Sequence, residues 1–257
     1  MLILLTGENG FLGRELKIKL NKNYTLLKKK KEKRYIVNLK NLDQLEKFLN
    51  IHKPDLIINA AVLADFNSKQ SADMMKVNYF AVKKFVDYCY KNKKKLIQIS
   101  GTIVHPKMKK YDITSELETN NFYGLSKLKA DKYIIKKKID FKIIRFGGIF
   151  GLRGPDHLFI NKVLKSKKKY INFEGNYYAK RNYIHVSSAA DCVEKLINIK
   201  RKGIYYAGGI TTTFSNMLKQ ICNKKNIKLN LKLKKNDIDE IVISNKIFKS
   251  KKFEEYI

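Results

Sequence analysis

The stretch that decides the fold is the N-terminal one, residues 1–16, which reads MLILLTGENGFLGREL. A short apolar run ends at Thr6-Gly7, and Gly10 and Gly13 follow at three-residue intervals before a helix-like segment. Gly7 lets the chain turn sharply, Gly10 lets the backbone approach a pyrophosphate, and Gly13 lets a helix pack close to a sheet. The start of that helix would add N–H donors and the positive end of its dipole. The stretch therefore predicts a turn that cradles the phosphates of a dinucleotide.

Strand-like and helix-like segments alternate along the first 150 residues. The predicted strands are continuous apolar runs, as expected for a parallel sheet that is covered on both faces. In chain order they are LILLT, YTLLK, RYIVNL, PDLIINAAV, KLIQISG and FKIIRFGGIFG. Right-handed crossovers between them give an α/β fold with a doubly wound parallel sheet of the Rossmann type. After Gly151 the pattern loosens, and from Thr211 onward it is short and mixed.

This change of pattern predicts two parts. With 257 residues, 44% of them hydrophobic, the chain can bury one large core and a smaller one. A dinucleotide-binding Rossmann domain would comprise residues 1–150, with residues 183–207 returning to it. Residues 151–182 and 208–257 would form a small C-terminal part that binds the substrate.

The chain is strongly basic, with 55 lysine and arginine residues against 23 aspartate and glutamate residues and a formal net charge of +32. Six of the basic residues are arginines, the residue type with the better geometry for phosphates and bases. The lysines are spread over the whole chain and accompany abundant Asn, Ile and Tyr, as in the products of AT-rich genes. We therefore predict solvated lysine-rich faces rather than nucleic-acid binding, although such a field would attract an anionic small substrate.

The three cysteines, Cys89, Cys192 and Cys222, are scattered and odd in number. They predict a reduced protein with neither a disulfide framework nor a metal site. No apolar run approaches the roughly 18 residues that span a bilayer. The N-terminal apolar run is also too short for a signal peptide and lacks its basic flank. These features predict a cytoplasmic protein without membrane association.

Five motifs in chain order carry a resemblance to a known family. They are TGENGFLG at residues 6–13, NAA at residues 59–61, VN at residues 77–78, YGLSK at residues 123–127, and RNYIHVSSAADCV from residue 181. Together they resemble the extended short-chain dehydrogenases/reductases, the branch that modifies nucleotide sugars, and the resemblance covers nearly the whole chain. It implies a nicotinamide cofactor bound by Gly7, Asn9, Gly10, Phe11, Leu12, Gly13, Ala60, Ala61, Asn78, Tyr123 and Lys127.

Tyr123 and Lys127 are four residues apart and therefore share one face of a predicted helix. A tyrosine pKa is ordinarily about 10, too high for easy proton exchange at neutral pH, and a nearby ammonium lowers it. We therefore predict that Lys127 lowers the pKa of Tyr123. The resemblance implies that Lys127 also binds the nicotinamide ribose. Tyr123 would be the general acid toward a substrate ketone and the base in the reverse direction.

The family also places a Ser or Thr after the fifth strand, where its hydroxyl binds the carbonyl oxygen. Here Gly101 stands at that position, flanked by Ser100 and Thr102. We predict that Thr102 takes the role, with Ser100 as the alternative. A missing donor of this kind would cost about 3 kcal/mol of barrier.

The residues after Thr102 restrict the types of reaction that the resemblance allows. The 4,6-dehydratases of the family carry an Asp-Glu pair there, whereas this chain has Ile103 and Val104, which argues against water elimination. The chain looks most like the family's reductases of dTDP-4-dehydrorhamnose and similar 4-keto sugars. The resemblance also implies a homodimer formed through long helices around residues 74–91 and 123–137.

The preferred cofactor is predicted from the end of the second strand. NAD-binding members usually place an acidic residue there, whereas this chain has Lys28, Lys29 and Lys30, which would attract a 2′-phosphate. NADP(H) is therefore favoured over NAD(H), and Asn38 stands where an Asp commonly touches the adenine. For the substrate, the resemblance places Arg181 on the nucleotide diphosphate, with Arg153 as a further candidate.

Three alternatives stay open at this point. A nucleotide-sugar 4-epimerase would keep NAD bound and need no added reductant. A non-catalytic dinucleotide-binding sensor is kept open by Gly101. Nucleic-acid binding through the lysines would show steeply salt-dependent retention of DNA.

Overall fold

A computed structural model describes residues 1–27, 37–64, 71–156, 158–175, 178–233 and 238–248. The strands of these residues are β1 Leu2–Thr6, β2 Thr25–Leu26, β3 Leu56–Asn59, β4 Lys95–Gly101, β5 Lys110–Tyr111, β6 Asp140–Phe146, β7 Gly148–Phe150, β8 Tyr170–Gly175, β9 Lys180–His185, β10 Gly203–Ala207, β11 Ile210–Thr213, β12 Lys228–Leu233 and β13 Ile241–Val242. The α-helices are α1 Phe11–Asn23, α2 Leu42–His52, α3 Ser71–Met75, α4 Ala81–Asn92, α5 Phe122–Lys137, α6 Phe159–Lys165, α7 Val186–Asn198 and α8 Phe214–Lys224. A π-helical turn covers Lys76–Phe80 and a 3₁₀ turn covers Thr102–Val104.

The largest sheet has six strands in the order β10-β6-β4-β3-β1-β2. Strand β1 pairs in parallel with β2 and β3, and β3 pairs in parallel with β4. All four residues of β3 are buried, as the continuous apolar run predicts for a strand covered on both faces. The predicted α/β fold with a parallel Rossmann-type sheet is confirmed.

The main core lies against this sheet. Apolar residues of α2, α4 and α5 pack on apolar residues of β3, β4 and β6 in one buried cluster, which includes Leu45, Phe85 and Ile134. Burial of each large side chain contributes about 2 kcal/mol before the cost of chain entropy. The core therefore fixes α5 on the sheet, and α5 carries Tyr123 and Lys127, the residues predicted to be catalytic.

The described chain divides into two compact units. The first comprises residues 1–106, 116–145 and 193–205, and the second comprises residues 107–115, 146–192 and the described residues from Tyr206 onward. The second unit holds three small sheets, which pair β11-β9-β7, β12-β8 and β13-β5. Its core joins α6 and α8, through residues such as Ile160 and Leu218.

Two details of the predicted elements change. The predicted strand RYIVNL begins outside the described residues, and residues 37–39 are not in a strand. Asn38 instead starts a turn, since its carbonyl accepts from the Asn41 N–H at 2.9 Å just before α2. The region after Thr211, which reads as short and mixed, contains α8, β12 and β13.

No helix among the described residues combines the length and the apolar character that crossing a bilayer requires.

Candidate functional site

The turn between β1 and α1 depends on glycine at two positions. Gly7 has a φ of +70°, and a Cβ on it would lie 2.6 Å from the Ala61 nitrogen and 2.7 Å from the Ala60 carbonyl carbon. A Cβ on Gly13 would lie 1.9 Å from the Gly7 carbonyl oxygen. A side chain at either position would displace backbone, so both glycines are required by the close approach of α1, β1 and the segment after β3.

Gly10 lies where the turn meets the helix. Its N–H donates to the Gly7 carbonyl at 2.8 Å, and it is the N-cap residue of α1 without a capping side chain. A Cβ there would lie 3.1 Å from the Gly7 oxygen, a much milder contact than at Gly13. The first backbone N–H groups of α1 are therefore left for a ligand or solvent, as in helix N-termini that bind phosphate.

The other predicted residues of this turn take different positions. Asn9 is exposed, Phe11 is half-buried at the start of α1, and Leu12 is buried beneath it. Ala60 and Ala61 are half-buried directly after β3, beside Gly7.

A buried chain of hydrogen bonds links three neighbouring strands, from the carboxyl ends of β1 and β3 to the middle of β4. The Thr6 hydroxyl donates to Asn59 Oδ1 at 2.5 Å, and Asn59 Nδ2 donates to Gln98 Oε1 at 2.9 Å. The Thr6 hydroxyl also accepts from the Ala61 N–H at 3.3 Å. These bonds tie the glycine turn to β3 and β4. Gln98 could not be predicted as part of the site, since a polar residue inside an apolar run carries no sign of its partner.

A cavity of about 610 Å³ opens beside the glycine turn. Its lining includes Gly7, Asn9 and Gly10 at one end and the apolar side chains of Val37, Leu39 and Phe48 further along. This volume lies within the ordinary range for small-molecule pockets. Asn38 is exposed, and its side chain accepts from the Lys40 N–H at 3.0 Å. Lys28 and Lys29, predicted to select the 2′-phosphate, lie outside the described residues.

Asn78 is buried in the π-helical turn and joins two segments. Its side chain exchanges two hydrogen bonds of 2.9 Å with the backbone of Leu63 and donates to the Ser126 hydroxyl at 3.0 Å. The Ser126 hydroxyl in turn donates to the Tyr123 carbonyl at 2.7 Å. Asn78 therefore connects the segment after β3 to the first turn of α5.

Lys127 and Tyr123 occupy one face of α5. The Lys127 ammonium is buried and donates to the Ile99 carbonyl at 2.5 Å, and burial lowers the pKa of Lys127 to about 8. Tyr123 is half-buried, and desolvation raises the pKa of its phenol to about 12. The predicted lowering of the Tyr123 pKa by Lys127 is therefore wrong in direction, because desolvation dominates at the phenol. Tyr123 is protonated throughout the neutral range.

The start of α5 packs closely on the 3₁₀ turn that contains Thr102. Asn121 caps the helix by accepting from the Gly124 N–H at 3.0 Å. A Cβ on Gly124 would lie 2.6 Å from the Ile103 carbonyl oxygen. The glycine after Tyr123 thus lets the helix approach the turn, which brings Tyr123 and Thr102 into neighbouring segments.

The structure separates the two candidate hydroxyls. Ser100 is buried, and its hydroxyl donates to Asp131 Oδ2 at 3.0 Å. The same oxygen accepts from Arg145 Nε at 3.2 Å and Nη2 at 3.0 Å. Thr102 is half-buried, and its hydroxyl has no hydrogen-bond partner within the described part of the chain. Thr102 therefore has a hydroxyl to offer a substrate, whereas Ser100 is engaged in the protein interior.

The two predicted substrate residues lie in the second unit. The Arg181 guanidinium pairs with Glu240 Oε1 at 3.0 Å and donates to the Ile238 carbonyl at 2.6 Å. Tyr111 donates to the other oxygen of the same carboxylate at 2.8 Å. Arg153 is exposed. A diphosphate at Arg181 would have to compete with Glu240.

The residues of the first unit fit a nicotinamide dinucleotide. The glycine turn leaves a cradle that a Cβ at Gly7 or Gly13 would close, and helix N–H donors face it. The carboxyl ends of β1 and β4 lie on one edge of the sheet with β3 between them, roughly 10 Å apart. A dinucleotide laid along this edge would place its pyrophosphate at the turn and its nicotinamide toward Tyr123 and Lys127.

Comparisons with known proteins agree with this description. A family model described as the RmlD substrate binding domain matches residues 1–233. Among solved structures, a hypothetical dTDP-4-dehydrorhamnose reductase from Sulfolobus tokodaii is 25% identical with a TM-score of 0.79, over 94% of this chain and 92% of that one. A dTDP-4-dehydrorhamnose reductase from Bacillus anthracis in complex with NADP is 19% identical with a TM-score of 0.81, over 95% and 90%. The UDP-glucose 4-epimerase of Thermus thermophilus in complex with NAD is 19% identical with a TM-score of 0.72, over 95% and 90%.

Proposed function

The chain belongs to the RmlD substrate-binding domain family, and on that premise we propose that it is a NAD(P)H-dependent reductase of a nucleotide-activated 4-keto sugar. The family membership confirms the resemblance that the five motifs carry. One observation carries the proposal: Lys127 of α5 is bonded to the carboxyl end of β4, with Tyr123 one turn earlier on the same helix face, at the end of the sheet where β1 runs into the glycine turn.

The chain's own residues have distinct roles in this reduction. The bound nicotinamide supplies the hydride. Tyr123, protonated at neutral pH, gives its phenolic proton to the substrate oxygen as the ketone becomes an alcohol. Thr102 donates a hydrogen bond to the same oxygen, where negative charge develops. Lys127 carries a cation on the same helix face as Tyr123, which would stabilise the phenolate that remains.

The finer assignments are part of the same proposal. We expect NADPH to be preferred, because Lys28 and Lys29 stand where an acidic residue would exclude a 2′-phosphate. The solved neighbours hold NADP in one case and NAD in another, so this preference depends on the lysines alone. Arg181 and Arg153 are the candidates for the nucleotide diphosphate, and a homodimer and a cytoplasmic location remain expectations.

A second candidate function is a nucleotide-sugar 4-epimerase, which the likeness to the Thermus thermophilus enzyme favours. Such an enzyme needs a tyrosine and a tightly held NAD, and its reaction has no net redox change. An absorbance spectrum of the purified protein separates the two, because an epimerase would carry stoichiometric nicotinamide and a reductase would not.

The direct test is a panel of 4-keto nucleotide sugars, each with NADH and with NADPH. The proposal predicts oxidation of the nicotinamide only when a 4-keto sugar is present, with a higher kcat/KM for NADPH. Equal kcat/KM with NADH and NADPH would contradict the NADPH preference but not the reductase assignment. No oxidation with any substrate, by a protein that still binds NADPH, would contradict the reductase and favour a dinucleotide sensor.

A further inference from the structure

Helix α5 is hydrogen-bonded to two successive residues near the end of β4, Ile99 and Ser100. Lys127 donates to the Ile99 carbonyl at 2.5 Å, and Asp131, one helical turn later, accepts from the Ser100 hydroxyl at 3.0 Å. Both contacts are buried or nearly so. The strand end is therefore held in one register against the helix, by a backbone contact and by a side-chain contact.

The Asp131 carboxylate, which makes the second contact, is charged and fully buried, and burial of a charge costs free energy. Asp131 is 0% exposed and pairs with Arg145, which is 1% exposed. Its Oδ2 accepts from both Ser100 and Arg145, while its Oδ1 has no hydrogen-bond partner within the described part of the chain. A buried ion pair with one unsatisfied oxygen adds little to stability, and an apolar pair of similar size would do as well. A role in the candidate active site would account for the presence of this buried ion pair.

We propose that Asp131 and Ser100 are positioning residues for the reduction, which hold the end of β4 so that Thr102 and Lys127 face the reacting centre. This inference rests on the proposed function. Thr102 follows Ser100 by two residues, so a shift of the strand end moves the Thr102 hydroxyl with it. A misplacement of about 1 Å at a reacting centre can cost about 100-fold in rate.

Asp131 also acts on Lys127 through its charge. On its own helix Lys127 shares a face with Tyr123 and Asp131, four residues away on either side. Strand β6 contributes Arg145, which pairs with Asp131, and β4 contributes the Ile99 carbonyl and the Ser100 hydroxyl. The Asp131 carboxylate raises the pKa of Lys127 and opposes the effect of burial. Without it, the ammonium would be lost at lower pH, and the uncompensated Arg145 cation would act in the same direction.

The first experiment measures the protonation of Lys127 without any need for turnover. Protein labelled with ¹³C at lysine Cε is titrated by NMR, and the Lys127 resonance is assigned by its loss in Lys127→Arg. In Asp131→Asn we expect the midpoint to fall by about one pH unit or more. The matched control is Asp87→Asn, the same change at an exposed carboxylate of α4, and it should leave the midpoint in place. An unchanged midpoint in Asp131→Asn would contradict the claim that the Asp131 charge keeps Lys127 protonated.

The second experiment tests the positioning of the strand end. Ser100→Ala should lower kcat about tenfold with KM within about twofold, and Ser100→Thr should recover most of the loss. An unchanged kcat in Ser100→Ala would overturn the proposal, and so would a loss as deep as that of Thr102→Val, which would make Ser100 a catalytic residue. If Asp131→Asn does not fold, the kcat of Ser100→Ala still tests the positioning role. Absence of reductase activity in the wild type would refute the proposed function, while the NMR titration would still test the charge coupling.

Discussion

The carboxyl ends of β1 and β4 lie on the same edge of one sheet, yet they are built in different ways. The end of β1 is shaped by backbone, since Gly7 and Gly13 leave space that any Cβ would fill. The end of β4 is shaped by side chains, since Lys127 and Asp131 reach it from a helix about 30 residues later in the chain. The first arrangement suits the binding of a phosphate group, and the second suits the transfer of a proton. Substitutions at the two ends should therefore damage different properties.

The largest expected effect is on turnover, at the side-chain end. Tyr123→Phe removes only the phenolic oxygen, so kcat should fall about 1,000-fold because the substrate oxygen loses its proton donor. The Kd for NADPH, measured by fluorescence titration, should stay within about threefold. A variant that loses cofactor binding to the same extent as activity would show that the two ends are not separate.

The next effect is at the backbone end. Gly13→Ala places a Cβ 1.9 Å from the Gly7 carbonyl oxygen, so it should lower the free energy of unfolding by about 3 kcal/mol and abolish NADPH binding. Gly10→Ala is the matched control, because its Cβ would lie 3.1 Å from the same oxygen and should cost less than about 1 kcal/mol. Chemical denaturation measures both. Equal losses in the two variants would contradict the steric account.

A smaller effect distinguishes the hydroxyl of Thr102. Thr102→Val keeps the shape of the side chain and removes its donor, so kcat should fall about 100-fold at nearly unchanged NADPH affinity. Thr114→Val, the same change in an exposed turn, should have no effect on kcat. Full activity in Thr102→Val would leave the substrate oxygen to Tyr123 alone.

The smallest expected effect is the dependence of the rate on pH. Lys127 has a pKa of about 8, so its ammonium is present at pH 7 and is largely lost by pH 9. We expect kcat to fall about fivefold between pH 8 and pH 9, because the phenolate left on Tyr123 loses the stabilising cation on its helix face. A rate that stays level up to pH 10 would show that Lys127 has no electrostatic role in the reaction.

The same contrast explains what the sequence could predict. The glycine spacing and the apolar runs have local causes, so the Rossmann-type sheet, the turn and the helix with Tyr123 and Lys127 were all accessible from sequence. Elements after Thr211 were not, because α8 and β12 obtain their stability from packing in the second unit rather than from a strong local pattern.

At the site itself, the missed features all involve partners distant in sequence. Sequence position alone favours Thr102 over Ser100, and only the structure shows that the Ser100 hydroxyl is bonded to Asp131, 31 residues later. Gln98 completes a chain that starts at Thr6, and no local pattern reveals it. The pKa of Tyr123 was predicted in the wrong direction because sequence spacing reports a nearby ammonium but not the depth of burial.

The most direct test of the central claim follows the hydride. With NADPH deuterated at the transferable position and a 4-keto nucleotide sugar, we predict one deuterium on the reduced carbon of the product by NMR and one equivalent of NADP⁺. A sugar that gains no deuterium, or one that changes configuration while the nicotinamide stays reduced, would contradict the assignment of this protein as a reductase.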